Sequence, residues 1–311
     1  MAEQTYRLVM RSDFDGIVCA ILLRSLDLVG DDITFVHPKD MQDGKIEIAA
    51  NNITVNLPYV PGVHLAFDHH LSEIIRLEEK KDNYIIDPDA PSTARVVYNY
   101  YGGKEKFPDI PEEMIEAVDK TDAAQFTEEE IMHPKGWVFL HFLTDPRTGL
   151  GRFHDFRISN YNLMMDLIKH CEKHTIDEIL ELPDVKERLD IYREYEENFK
   201  EQIKQNSKVH NNMVVLDLRE EKVIYPGNRF MVYALFPDCN ISIHLMWGKQ
   251  KQNVVFAVGK SIFNRTSKTN IGELMLKYGG GGHANAGTCQ ADSEKADELL
   301  TELIEKIKAD G

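Results

Sequence analysis

Short apolar runs that end abruptly in acidic, amide or histidine residues recur through the N-terminal part of the chain. "YRLVM" (6–10) stops at "RSDFDG", "ITVNLPYV" (53–60) breaks at Asn56, and "VHLAFDHH" (63–70) ends in Asp68, His69 and His70, while "ITFVHP" (33–38) makes a further run. Helix-like segments separate them, notably "GIVCAILLRSLDLVG" (16–30), 92–103 and 111–122, the last two with Pro91 and Pro111 near their starts. Another helix-like stretch, "LSEIIRLEEK" (71–80), follows the histidines. Strands alternating with helices imply a parallel sheet, and such sheets bind ligands at the carboxyl ends of their strands. The polar residues of "SDFDG", "NLP" and "DHH" therefore fall on one edge.

The pattern changes after residue 208. Between 184 and 208 lies a run with seven acidic and six basic residues and Val185, Leu189, Tyr192, Phe199 and Ile203 near helical spacing, which reads as a long, exposed connecting helix. Beyond it, "MVVLDL", "MVYALF", "ISIHLMW" and "NVVFAVG" read as strands, and "IGELMLKY" and 293–309 as helices. The expected organisation is α/β throughout: a parallel-sheet domain over 1–183, the helix over 184–208, and a smaller domain over 209–311.

Charge is divided in the same way. The formal net charge is -16. Residues 1–208 carry 24 Lys and Arg against 40 Asp and Glu, whereas 209–311 carry 12 of each. An acidic surface argues against coating long nucleic acid, suits carboxylate-held metal in the first part, and leaves the neutral remainder better able to receive a phosphate. No run approaches the roughly 20 apolar residues that cross a bilayer, and the N-terminus has no basic flank followed by an apolar stretch, so a cytoplasmic protein without a membrane partner is expected. Cys19, Cys171, Cys239 and Cys289 are scattered singly, which fits reduced thiols rather than a zinc site or disulfide framework.

Taken alone, Asp13 and Asp15 in "RSDFDG" read equally well as a helix N-cap with a dipole-compensating acid or as two carboxylates facing one cleft. Company makes them specific. "SDFDG", "FDHH", "DKTDAAQF" and, near the C-terminus, "KYGGGGHANAG" occur in an order and spacing that resembles the DHH phosphoesterase superfamily with its DHH-associated C-terminal domain, and most of all its exopolyphosphatase-related subgroup. The resemblance covers nearly the whole chain.

That resemblance implies a divalent-metal-dependent hydrolase acting on a phosphodiester or phosphoanhydride in a small anionic substrate: polyphosphate, a short oligonucleotide, a cyclic dinucleotide or a nucleotide phosphate. Manganese is the expected ion, with magnesium or cobalt as substitutes. Asp13, Asp15, Asp68, His69 and Asp122 match metal-ligand positions, His70 matches the histidine that approaches the phosphate, and Asp122 is preferred to Asp119, expected on the helix surface. In the C-terminal part, Gly280, Gly281, Gly282 and His283 should bring backbone amides to an anion, with Arg265 offering a planar fork to a terminal phosphate or carboxylate. Tyr59 or Tyr278 is a candidate to stack on one base. A homodimer is compatible with this reading.

Two departures from the family pattern fall on one ion. The histidine usual two or four residues before the first aspartate is replaced by Arg11 or Val9, and the usual second-motif aspartate by Asn56, a metal ligand that can still coordinate through its carbonyl but brings no charge. One tight ion is therefore expected, with a second held weakly or only with substrate, and Arg11 supplying the missing charge. His37, Asp40, Asp43 and His64 stand near strand ends as substitute ligands. The competing reading is a non-catalytic nucleotide- or phosphate-binding protein with a degenerate metal centre.

Overall fold

The computed structural model describes residues 5–77 and 79–310. Residues 1–4, on which the reading of the N-terminus partly rests, and Glu78, inside the expected 71–80 helix, lie outside them. Two compact units divide the chain. The first runs from the start of the described residues to Phe126 and includes Pro134–Ile191; the second takes in Thr127–His133 and everything from Tyr192 onward.

The first unit is built on a five-stranded, wholly parallel sheet of β1 (Tyr6–Met10), β2 (Val29–Phe35), β3 (Asn52–Val55), β4 (Leu65–Asp68) and β5 (Tyr84–Ile86), in the order β2-β1-β3-β4-β5. The strands were legible as buried apolar runs, and most end where the polar residues begin. The helix Phe14–Ser25 is buried from Phe14 to Leu23, as its small and apolar residues require. It stops earlier than expected because Asp27 takes a left-handed conformation (φ 57°), and Val29 and Gly30 then open β2. The helix after His70 is short, Leu71–Arg76, while Thr93–Tyr101 and Glu112–Asp122 lie where the sequence put them.

The second unit has a mixed six-stranded sheet: β6 (Ser207–His210), β7 (Met213–Asp217), β8 (Ile241–Trp247), β9 (Val254–Lys260), β10 (Gly281–His283) and β11 (Ala286–Ala291), ordered β10-β11-β9-β8-β7-β6. β7 and β8 are parallel and the other neighbours antiparallel. Ile241, Ile243, Leu245, Val254, Phe256 and Val258 point into one core with Leu303 and Ile307 of the C-terminal helix Ala296–Asp310.

Two expectations need correction here. "MVYALF" is not a strand but the short helix Met231–Leu235; an apolar run of that length carries no periodicity that separates the two. The helix Pro183–Gln205 is continuous, and the division between units falls within it, but it is not simply exposed: Val185, Leu189, Tyr192 and Ile203 are buried along one stripe, with Arg188, Lys200 and Gln202. The helical spacing of these apolar residues was legible, but the balanced charges around them concealed their burial. All four cysteines are free and fully buried. No helix among the described residues is long and apolar enough to cross a membrane.

Candidate metal centre and active site

In a parallel sheet of this order, strand succession reverses between β1 and β3, which opens a crevice at their carboxyl ends. Arg11 and Asp13 follow β1, Asn56 follows β3, and Asp68, His69 and His70 end or follow β4. Gly16 lets the chain turn here. A Cβ on it would sit 2.3 Å from the Arg11 carbonyl oxygen, so any other residue would force the turn apart.

Asp15, His69 and Asp122 converge, with one ligand atom of each within 4.8 Å of the others. Three separate elements aim them. Asp15, in the first turn of the Phe14–Ser25 helix, accepts from the amides of Thr93 (3.1 Å) and Ala94 (2.8 Å) at the start of the Thr93–Tyr101 helix. Asp122 is the last residue of the Glu112–Asp122 helix. His69 donates from Nδ1 to the Ala90 carbonyl (3.2 Å), which leaves Nε2 as the nitrogen with the lone pair.

Nε2 lies 3.0 Å from Asp122 Oδ2, yet this buried nitrogen meets no partner in hydrogen-bonding geometry. Two carboxylates and an imidazole nitrogen crowded together are a donor set suited to a divalent ion such as manganese. The residues therefore fit the metal that the sequence implies.

Electrostatics shows how the metal-free group settles its charge. Burial, then the nearby charge of Asp122, raises Asp15 to about 7. Burial works against protonating His69, but Asp122 and Asp15 outweigh it and lift the imidazole to about 9. Asp122 is itself held low: burial would raise it, but His69, His70 and Arg11 prevail.

Asp13 has a different set of neighbours. It caps the Phe14–Ser25 helix by accepting from Gly16 N at 3.0 Å, pairs with Arg11 Nε at 2.9 Å, and receives long contacts of 3.4 Å from Asn56 Nδ2 on both oxygens. Asn56 adopts a left-handed backbone (φ 56°), and its buried Oδ1 has no partner among the described residues. Asp13 thus takes the cap of the first reading, while Asp15 turns toward His69 and Asp122. Burial keeps Asp13 above its usual range despite Arg11.

Asp68 does not join the converging group. Its Oδ1 accepts from the His69 amide (2.8 Å) and from His70 Nδ1 (2.7 Å), and its Oδ2 from the Tyr84 hydroxyl (2.9 Å). It is a buried bracket that orients His70. Burial lowers the basicity of His70, but Asp68 more than restores it and the net shift is upward. Asp119 is not on a solvent face: it accepts from Ser92 (2.7 Å) and Arg95 Nε (2.7 Å), tying two helices together. None of the four substitute ligands enters the group. His37 caps a short helix, Asp40 and Asp43 pair with Lys45, and His64 stacks on Tyr6.

Sequence reading missed the supporting shell. The amides of Thr93 and Ala94, the Ala90 carbonyl and Tyr84 carry no motif. Nor did it single out Arg147, whose charge acts on Asp13.

In the second unit, Gly281–His283 form β10 and pair with Ala286–Thr288. Gly282 has φ 153°, and a Cβ there would lie 2.3 Å from the Ala286 carbonyl oxygen, so the glycine run reflects close backbone approach. Arg265 is exposed in the loop after β9 and donates from Nε to the Ile262 carbonyl (3.0 Å). Tyr278 bonds Glu302, and Tyr59 is buried against Tyr84, which leaves it no face for a base.

No protein-family model and no curated protein matches the chain. Solved structures do. A pGpG-specific phosphodiesterase, PggH from Vibrio cholerae, is 61% identical over 99% of this chain and 100% of its own, with a TM-score of 0.86. The chain belongs to the DHH phosphoesterase superfamily. As a DHH phosphoesterase it is a metal-dependent enzyme that hydrolyses a phosphoester or phosphoanhydride bond in a short anionic substrate, and the non-catalytic reading falls away. More distant DHH structures share the fold: an exopolyphosphatase-related protein from Bacteroides fragilis (18% identity, 98% of this chain and 93% of that one, TM-score 0.54), and RecJ from Thermus thermophilus in complex with manganese (14%, 98% and 52%, TM-score 0.58).

Proposed function

We propose that this chain hydrolyses the linear dinucleotide pGpG to two molecules of GMP, using one tightly held divalent ion, preferably manganese, ligated by Asp15, His69 and Asp122. The observation that carries the substrate is the 61% identity, over the full length of both chains, with a phosphodiesterase specific for pGpG. A short, highly anionic substrate also suits an acidic protein, which repels long nucleic acid.

When bound, the ion supplies an activated water and neutralises charge on the phosphate. The chain's own residues do the rest. The Thr93 and Ala94 amides fix the rotamer of Asp15, and the Ala90 carbonyl fixes the tautomer of His69. Arg11 stands where the second ion is usually held: it balances Asp13 through Nε and turns its remaining N–H groups to a phosphate oxygen. Asn56 Oδ1 offers only a neutral donor, so a second ion is held weakly and with the help of substrate oxygens. His70, oriented through Nδ1 by Asp68, protonates the departing 3′-oxygen from Nε2. Arg265 and the backbone of Gly280, Gly281, Gly282 and His283 are the second unit's candidates for binding a phosphate.

A hydrolysis panel tests this reading: pGpG, pApA, pApG, cyclic di-GMP, inorganic polyphosphate and pyrophosphate, each with manganese, magnesium and cobalt. The expected result is the highest kcat/KM for pGpG with manganese. A preference for polyphosphate or for the cyclic dinucleotide would overturn the assignment of substrate.

A further inference from the structure

We propose that Arg147, clamped by Asp145, is a phosphate-binding residue of this active site and donates to a non-bridging oxygen of the scissile phosphate. The inference rests on the reading of the site as a phosphodiesterase centre, and it adds a residue from a segment outside every recognised motif.

Arg147 sits in a single 3-10 turn, Pro146–Thr148, directly after the helix Gly136–Thr144. That turn is fixed to its helix. Thr148 Oγ1 donates to the Phe142 carbonyl (2.6 Å), and the Asp145 amide donates to the His141 carbonyl (2.9 Å). The helix is seated against the metal centre's own supports: the His141 ring packs at 6.5 Å on Phe14, which lies between Asp13 and Asp15, and at 5.9 Å on Phe126, four residues after Asp122. Asp145 therefore projects from a rigid base, and it is buried.

The clamp leaves one edge of the guanidinium unused. Asp145 accepts the Nε–H with both oxygens, at 2.8 and 3.0 Å, and also caps the Arg147 amide at 2.9 Å. Nη1 and Nη2 make no hydrogen bond among the described residues, and the side chain is 48% exposed. An arginine held at Nε with its two terminal nitrogens presented outward is a preorganised fork for an oxyanion.

The charge of Arg147 acts on the reacting end of the unit. Burial tends to lower the Arg147 pKa, but Asp145, Asp13 and Asp122 together raise it, and Arg147 in turn draws Asp13 down. With Arg11 on Asp13, this gives the crevice two fixed cations beside three converging ligands. Two guanidinium groups are a charge-equivalent substitute for one divalent ion, in the place where the ligands for a second ion are missing.

The test compares Arg147→Met, Arg147→Lys and Asp145→Asn with the unaltered protein. Three readouts are used: kcat/KM on pGpG and on the generic diester bis(p-nitrophenyl) phosphate, calorimetric binding of inorganic phosphate to manganese-loaded protein, and calorimetric binding of manganese alone. Arg147→Met should lose about 100-fold in kcat/KM on both substrates, as loss of one oxyanion donor does, and should bind phosphate more weakly. Its manganese affinity should be equal or higher, because a neighbouring like charge is gone. Arg147→Lys should recover part of the loss, and Asp145→Asn should fall between the extremes. If Arg147→Met keeps kcat/KM and phosphate binding within twofold, or loses manganese binding together with activity, Arg147 is not a phosphate ligand. If the unaltered protein cleaves only the generic diester, the pGpG assignment fails and Arg147 is judged on that diester and on phosphate; if it cleaves neither, phosphate binding alone decides.

Discussion

Asp13 and Asp15 are separated by one residue, lie at the same end of the same strand, and meet opposite fates. Asp15 is bound by two backbone amides, which orient a carboxylate without cancelling its charge, and it faces His69 and Asp122. Asp13 is bound by a guanidinium, a capping amide and the Asn56 side chain, so its charge is already answered within the protein. Both are raised by burial, and partner chemistry makes the difference. A carboxylate oriented by backbone amides keeps its charge available to a metal ion; one already paired with arginine has less to offer.

The largest effect should come from the Asp15 side of this contrast. On the proposed ligand set, His69→Ala and Asp15→Asn each remove a ligand of an ion that supplies several kcal/mol of transition-state stabilisation, so kcat should fall on the order of 100- to 1000-fold, with secondary structure by circular dichroism unchanged. An unchanged kcat in either variant would remove that residue from the mechanism.

A smaller loss is expected where the residue acts through another. Tyr84→Phe and Asp68→Asn should each reduce kcat roughly 10- to 100-fold, because the bracket on His70 loosens while the ligand group stays intact. The check is manganese affinity alongside kcat: a loss of metal equal to the loss of rate would place Asp68 among the ligands after all.

The smallest effect is thermal and concerns the metal-free protein. Asp15 titrates at about 7 against 3.8 unperturbed, so between those values the unfolded chain has released a proton that the folded chain keeps, and rising pH costs stability. His69, raised from 6.5 to about 9, stabilises the fold below 6.5 and loses that contribution as pH climbs through 9. The two act in the same direction. Tm of the chelator-treated protein should therefore decline by several degrees from pH 6 to pH 9, whereas manganese, which displaces both protons, should abolish or reverse the decline. A metal-free Tm that rises over that range would contradict the assigned proton positions.

How much of this was visible beforehand follows from what sequence encodes locally. Strand-end motifs were legible because β1, β3 and β4 are buried runs whose polar ends cannot lie inside a sheet, and the glycine run because only close backbone approach explains it. The resemblance to the family's fourth motif singled out Asp122 over Asp119 by its place before Phe126, and it is Asp122 that lies beside Asp15 and His69. What stayed hidden is carried by backbone atoms or by residues remote in the chain: the Ala90 carbonyl, the Thr93 and Ala94 amides, Tyr84 on Asp68, and Arg147. None of these contacts leaves a spacing to read. Nor did the balanced charges of Pro183–Gln205 show that its apolar stripe is buried, or "MVYALF" its helical state.

The contrast between Asp13 and Asp15 is tested most directly by counting metal. Elemental analysis of the protein loaded with manganese and dialysed without chelator should give one ion per chain, and the double replacement Arg11→His with Asn56→Asp should bring the count towards two. Two tightly held ions in the unmodified protein would contradict the account, because Asp13 would then be a ligand despite its arginine.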